Sequence, residues 1–454
     1  MQQTLEEFIR EHKNTALERN YIDPTFYGRY NTKRGLRNED GTGVLVGLTG
    51  VGDVHGYIID EGEKVPVEGR LRYRGIEIEE IVRRFQEKKR RGYEETVYLL
   101  LFGTLPNEEQ LENFNVILGS KRDLPNGFTE DMVLRAPSND IMNKLARSVL
   151  VSYSYDDNPD EISIENMIRQ SIELIARFPT MVAYGYHAKR HYFHNESLFI
   201  HSPQPELGTA ENLLCMIRPD MKYTPLEAEV LDLALVLHAE HGGGNNSAFS
   251  IRVVSSSGTD TYSAIAAGVG SLKGPKHGGA NIKVIGMMEE IMNQIKDWDD
   301  EEELLAYLKK ILKRKACDRS GLIYGIGHAV YTLSDPRAVL LKEKAEELAL
   351  EKNTIEEFKL YSAVERLTPK AFYETKGYER IMRPNVDFYS GFIYRMLNIP
   401  KDLYTPIFAV GRIAGWCAHR IEEVLSGGRI IRPAYKSIAV KKHIDEVTEE
   451  IHGG

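Results

Sequence analysis

Residues 224–247 read TPLEAEVLDLALVLHAEHGGGNNS, from Thr224 to Ser247. Pro225 directly after Thr224 is the chemistry of a helix start. Leu226, Val230, Leu233 and Leu237 then recur at the helical period, until two histidines and three glycines end the pattern. The stretch predicts a helix with an apolar face that delivers polar side chains to a glycine-rich loop. The same period recurs along the chain. Ile78, Ile81, Val82 and Phe85 form one stripe, which runs into Lys88-Lys89-Arg90-Arg91-Gly92 with the glycine read as its C-cap. Ile413, Trp416, Cys417, Ile421 and Val424 form another, ahead of Gly427-Gly428. The acidic run Asp297–Glu303 precedes Lys309, Lys310, Lys313, Arg314 and Lys315, an order that complements a helix dipole.

Strand signals are confined to Val44–Gly47, His55–Ile59 and Val65–Val67, with glycine-rich turns between them, which predicts one or two small hairpins. No alternation of strand and helix follows, so a Rossmann or TIM-barrel layout is excluded. The expected fold class is all-α: a large helical domain with a small helical domain inserted into it, and a minor β-hairpin near the N-terminus.

The chain has 454 residues with 58 Lys+Arg against 67 Asp+Glu, a net charge of −9, and 42% hydrophobic residues. That balance excludes a nucleic-acid binder working through a broad basic face, and leaves room for a local basic pocket. Cys215, Cys317 and Cys417 are far apart and form no C-x-x-C pair, so neither a disulfide framework nor a zinc knuckle is expected. The first residues carry Glu6 and Glu7 where a secretory peptide has basic residues, and the apolar run Val97–Phe102 is far short of the ~20 residues of a membrane span. A cytoplasmic location without membrane or nucleic-acid partners is the expectation.

The loop Gly47–Gly56 matches neither phosphate-binding pattern and reads as a turn. Three other loops set a histidine beside glycines at the edge of a helix: His238 and His241 with Gly242–Gly244 and Asn245; His277 with Gly278, Gly279 and Ala280; and His328 after Gly325 and Gly327, ahead of Asp335-Pro336-Arg337. His238 and His241 lie at i, i+3 with no third ligand in view, so no metal is expected. A histidine at a helix N-terminus stays neutral and donates a hydrogen bond to a carbonyl or enolate oxygen. Asp387, in Pro384–Gly391, reads by itself as an N-cap. Arg337, Arg412 and Arg432 supply planar forks suited to a di- or tricarboxylate.

The order H-x-x-H-G-G-G-N, G-P-x-H-G-G-A-N, G-x-G-H-A-V with D-P-R, P-N-V-D-x-x-S-G, a Gly-Arg helix and a C-terminal Arg-Pro resembles the citrate synthase family of the bacterial kind, over about five-sixths of the chain. The resemblance implies a nearly all-α homodimer of two-domain subunits, with residues 1–278 and 399–454 in the large domain and 279–398 in the small one. It implies condensation of acetyl-CoA with oxaloacetate and hydrolysis of citryl-CoA, with no permanently bound cofactor. His277 would then hydrogen-bond the thioester oxygen, Asp387 would take the methyl proton, and His328 would polarise the oxaloacetate carbonyl. His241, Asn245, Arg337 and Arg412 would hold oxaloacetate, with Arg432 reaching over from the partner subunit. Gly278, Gly279 and Ala280 would face the adenine of coenzyme A, with Arg380 and Arg383 near its phosphates. The alternative within the family is 2-methylcitrate synthase, which uses propionyl-CoA and shares every one of these motifs.

Overall fold

The structure, a computed structural model, describes residues 5–439 apart from Glu39 and Ala329. The chain is mostly helical, with one small antiparallel sheet of order β1-β2-β3. β1 (Gly52–Asp60) and β2 (Glu63–Tyr73) pair from Asp60↔Glu63 to Gly52↔Tyr73, with a bulge between His55 and Tyr57, and β3 (Ile76–Glu77) adds to β2. Glu61 and Gly62 close the hairpin at φ +48° and +86°, the left-handed pair that two-residue hairpin turns require. The expected strand at Val44–Gly47 does not form. Only an isolated bridge forms just before it, between Arg37 and Gly43, with the Val44 N–H donating to the Leu36 carbonyl at 2.9 Å among the described residues, and Leu45 and the adjoining Leu48 are 88% and 90% exposed. Among the described residues no helix is long and apolar enough to cross a membrane.

The chain divides into two compact units. One combines residues 1–46 with 431–454 and contains the helices Leu5–Arg19 and Thr25–Arg29, with Arg432 in its C-terminal part. The other, residues 47–430, holds the sheet, the remaining helices and a continuous apolar core.

Within residues 47–430 the organising element is the helix Tyr404–Leu425, buried from Tyr404 through Ile421. It packs on Tyr93–Phe102, Ile164–His194, Pro225–His238, Asn246–Ser255 and Thr261–Lys273. Close approach depends on its glycines. A Cβ on Gly411 would lie 2.9 Å from the His238 Cβ and 3.0 Å from the Leu235 carbonyl, and one on Gly415 would overlap Glu240 and the Ala239 carbonyl. Pro225–His238 starts as its sequence predicts, with Thr224 as N-cap accepting the Glu227 N–H in a capping box and Pro225 in the first turn. Asp300 is likewise the N-cap of Glu301–Leu312. The basic run after the Ile78 stripe corrects one reading. That helix ends at Glu87 with Lys88 as its C-cap, and Gly92 is instead the N-cap position of Tyr93–Phe102, where a side chain would run into the Phe85 ring. At the far end of Tyr404–Leu425, Gly427 takes φ +60° as a terminating glycine should.

Candidate active site

Each histidine loop ends a helix or starts one. The loop after Pro225–His238 leads into Asn246–Ser255, where Asn245 is the N-cap: its Oδ1 accepts from the Ser247 N–H at 3.2 Å and lies 2.8 Å from the Ser247 hydroxyl. The two histidines of this loop part company. His238 is fully buried, its ring tilted against Phe408 at 4.2 Å, and its carbonyl accepts from Arg412 Nε at 2.5 Å. The His241 ring meets the His328 ring edge-on at 5.3 Å, with its Nε2 buried and unpartnered. Burial first, then the nearby Arg337, His328, Arg412 and His277, hold His241 far below its ordinary pKa.

His277 sits in the turn Gly274–Gly279 ahead of the helix Ala280–Gln294. Its Nε2 lies 3.1 Å from the Ser247 hydroxyl, which also accepts from Trp416 Nε1 at 3.0 Å. Burial and then the Arg412 cation hold its pKa down to about 4, so the ring is neutral at pH 7. Gly278 admits no side chain, because a Cβ would lie 2.7 Å from Thr405 Cγ2 and closer still to the Leu272 carbonyl. Its own carbonyl accepts from the Thr405 hydroxyl at 2.8 Å.

The His328 loop is fastened to the segment that carries Asp387. Gly325 and Gly327 take φ +78° and +96°; Gly327 N–H donates to the Arg383 carbonyl at 2.7 Å, and Asn385 N–H to the Gly325 carbonyl at 2.8 Å. Asn385 Nδ2 adds a bond to the Gly327 carbonyl at 2.7 Å. The N–H groups of Val330 and Tyr331 both donate to His328 Nδ1, at 3.0 and 3.1 Å. With Nδ1 accepting both, a ring proton of His328 sits on Nε2.

Asp387 is not the cap that its position alone suggests. Asn385 caps the helix Val386–Met396, its Oδ1 accepting the Asp387 N–H at 3.0 Å, which leaves the Asp387 carboxylate out of the capping bond. Burial raises its pKa to about 6, the Arg337 cation opposes that rise, and the Asp335 anion adds to it. A carboxylate at that value is still ionised at pH 7, yet much more basic than an exposed one.

Two buried arginines face this group. Asp335 grips Arg337 through Nε at 3.0 Å and Nη2 at 2.8 Å, and also accepts the N–H groups of Arg337 and Val386, each at 3.1 Å. Burial works against the Arg337 charge, and the Asp335 anion, Tyr331 and the Asp335 hydrogen bonds together raise its pKa above the ordinary value. Among the described residues no carboxylate is bonded to Arg412 in this way. Its guanidinium lies 4.8 Å over Phe408, its Nη1 is buried without a partner, and burial lowers its pKa to about 10, leaving it charged. A buried cation with an unpaired nitrogen is costly unless an anion arrives to pair with it. Tyr331 ties the group together, stacked on His328 at 4.7 Å, edge-on to His241 at 5.7 Å and 5.6 Å from the Arg337 guanidinium.

The residues predicted from sequence thus fall into two sets. His241, His277, His328, Asp387, Arg337 and Arg412 come together, with Asn245 joined to them through Ser247. Arg380 and Arg383 are exposed, and the Arg383 backbone is bonded to the His328 loop. Arg432 belongs to the other unit. A cavity of about 920 Å³, lined by Phe85, Arg91, Tyr223, Asp232 and Lys344 among others, includes none of these residues. Sequence reading missed Ser247, Asp335, Asn385 and Tyr331. An Asp directly before Pro at a helix start, and an Asn two residues ahead of Asp387, were signals for two of them.

A basic carboxylate, histidines held below their ordinary pKa and two buried guanidinium groups are the groups that proton abstraction beside the carbonyl of a polyanion calls for. Among the described residues no three His, Cys, Asp or Glu side chains are grouped to hold a metal. The family model described as "Citrate synthase, C-terminal domain" matches residues 41–434. The chain is 36% identical over 370 residues to a citrate synthase of Synechocystis sp., covering 81% of this chain and 84% of that one. It is 31% identical over 380 residues to 2-methylcitrate synthase 1 of Corynebacterium glutamicum, covering 82% and 91%. The fold superposes with TM-score 0.70 at 27% identity on the Thermoplasma acidophilum citrate synthase, solved with carboxymethyl coenzyme A and oxaloacetate, over 89% of this chain and 97% of that one. The chain belongs to the citrate synthase family, a family of acyltransferases that needs no resident cofactor.

Proposed function

We propose that this chain condenses acetyl-CoA with oxaloacetate and hydrolyses citryl-CoA to citrate and coenzyme A, the citrate-forming step of the tricarboxylic acid cycle. The observation that carries the reading is Asp387, a carboxylate raised to about 6 and left out of its own helix cap, beside Arg337 and Arg412. A thioester methyl is a very weak carbon acid. A single carboxylate deprotonates it only where the enol oxygen is stabilised as it forms, in a site without bulk water.

His277 supplies that stabilisation. The Ser247 hydroxyl has one hydrogen and two acceptors in range, Asn245 Oδ1 and His277 Nε2. The hydrogen goes to Asn245 at 2.8 Å, the 3.1 Å contact holds the His277 ring in place, and the neutral imidazole donates its ring proton to the thioester oxygen. Loss of one such donor costs about 2.7–4 kcal/mol in comparable oxyanion sites. The enol carbon then attacks the ketone of oxaloacetate. His328 Nε2–H, its tautomer set by the two backbone bonds to Nδ1, polarises that ketone and gives its proton to the new alkoxide. His241, Arg337 and Arg412 hold the two carboxylates, and water finally cleaves the thioester. In this reading Gly278, Gly279 and Ala280 meet the adenine, Arg380 and Arg383 the phosphates, and Arg432 is contributed across a homodimer. Residues 279–398 form the small domain that closes on the substrates.

The test is thiol release with oxaloacetate and either acetyl-CoA or propionyl-CoA. No release from either thioester would remove the proposed function. A higher kcat/KM for propionyl-CoA would select the second reading, 2-methylcitrate synthesis, which the Corynebacterium relative keeps open. One methylene is worth only about 1–3 kcal/mol of discrimination in such a pocket.

A further inference from the structure

The helix Val386–Met396 carries Asp387 in its first turn, and the residues that follow on the same face are Ser390, Gly391 and Tyr394, at i+3, i+4 and i+7. Ser390 and Tyr394 are both 0% exposed, and neither hydroxyl has a hydrogen-bond partner. Folded proteins keep few such groups, since alanine and phenylalanine fill the same volumes without a polar atom to satisfy. Long helical side chains lean back towards the N-terminus. That tendency directs the Tyr394 side chain towards the turn that carries Asp387. After burial itself, Asp387 is the group that acts most on the Tyr394 phenol, raising its pKa.

Asn281, from the neighbouring helix Ala280–Gln294, extends the same polar patch. Its carbonyl lies 3.4 Å from where a Gly391 Cβ would stand, and its fully buried amide is unpartnered at both ends. Among the described residues no hydrogen bond reaches the Asp387 carboxylate, while the Asp387 N–H goes to Asn385.

We propose that Tyr394, acting with Ser390, is a positioning residue for Asp387: the two hydroxyls form a line of donors along the inner face of the helix that holds the carboxylate as the anion through a bridging water, and sets how strongly it draws a proton from carbon. This rests on Asp387 being the base. The other groups acting on Asp387 are Arg337 and Asp335, at and just before the start of Pro336–Glu351, and Arg412 from Tyr404–Leu425. Tyr404 of that last helix lies 5.2 Å from the Tyr394 ring. From Ile355–Lys376, Glu365 accepts from Tyr389 and Glu357 pairs with Arg395, neither on the Asp387 stripe. No titratable group of Pro225–His238 acts on Asp387.

A donor stabilises the anion, so deleting it makes Asp387 easier to protonate. Tyr394→Phe keeps the shape and removes only the hydroxyl. The acid limb of kcat/KM should move up by about half to one pH unit, with the KM for oxaloacetate changed less than about two-fold. Ser390→Ala should move the limb in the same direction, and it carries the test if Tyr394→Phe does not fold. Tyr361→Phe is the control. Its hydroxyl is equally buried and unpartnered, but its surroundings are Arg395, Tyr404, Glu357 and Glu289, without Asp387. If the limb of Tyr394→Phe moves no further than that of Tyr361→Phe, or moves down, the role is refuted. Asp387→Asn separates this from the underlying reading: turnover surviving in that variant removes the base, whereas a dead variant with an unmoved Tyr394→Phe limb removes only the tyrosine's part.

Discussion

Replacing Asp335 by asparagine should both loosen the fold and weaken the base. Asp335 is 2% exposed and accepts four hydrogen bonds, three from Arg337 and one from the Val386 N–H. An asparagine there would keep one acceptor oxygen and turn an amide nitrogen towards donors. It would also leave the Arg337 cation buried without its counter-ion. Breaking one side of a buried, hydrogen-bonded pair costs about 3–5 kcal/mol. The effect on Asp387 has a definite sign: the Asp335 anion raises its pKa and the Arg337 cation lowers it. Removing the anion leaves the cation unopposed, so the value falls from about 6 towards the ordinary carboxylate range. Urea unfolding at pH 7 would read the stability, and kcat/KM for oxaloacetate across the acid and neutral range would read the base. The acid limb should move to lower pH while the plateau falls, because Arg337 is no longer oriented. Stability within about 1 kcal/mol of the parent, with an unmoved limb, would refute this reading of Asp335 as both clamp and charge.

Asp387→Asn should be inactive yet more stable at pH 7.5 by about 1–3 kcal/mol, since a carboxylate whose folded pKa is raised above its unfolded value opposes folding once ionised. The gain should vanish as pH falls from about 6 to 4, and a destabilised variant at pH 7.5 would contradict it. Gly411→Ala should cost about 1–3 kcal/mol in urea unfolding, because the new methyl meets the His238 Cβ at 2.9 Å and the immobile Leu235 carbonyl at 3.0 Å; an unchanged midpoint would show that these helices have slack. Ser247→Ala should lower kcat about 10²-fold or more, with KM for oxaloacetate nearly unchanged, as His277 loses the hydroxyl that holds its ring in place. A rise in KM alone would reassign Ser247 to substrate binding.

Helical periodicity makes most of the fold legible, because apolar stripes such as Leu226–Leu237 report which face is buried whatever packs on it. The strand expected at Val44–Gly47 fails because β-propensity says nothing about whether a partner edge is present. Gly92 deceives because its meaning depends on Phe85, a contact set by packing. At the candidate site, residue type and spacing single out the three histidines, Arg337 and Arg412 as candidates, whereas Asp387 reads by itself as a cap and enters only through the resemblance. Their supports are hidden, since Ser247, Asp335 and Asn385 act through hydrogen bonds across loops that only the fold brings together. The capping role expected of Asp387 falls to Asn385, two residues earlier, and that displacement leaves the carboxylate available for chemistry. The mild acidity of the chain is likewise no guide to its pockets, because a cation such as Arg412 is buried, with a nitrogen left unpaired.

The sharpest check is calorimetric oxaloacetate binding to Asp387→Ala, measured alongside its turnover. If Asp387 is the base and not part of the oxaloacetate grip, the variant binds oxaloacetate within a few-fold of the parent while turnover falls by about 10³-fold or more. Turnover near that of the parent, or oxaloacetate binding lost together with it, would contradict the mechanism.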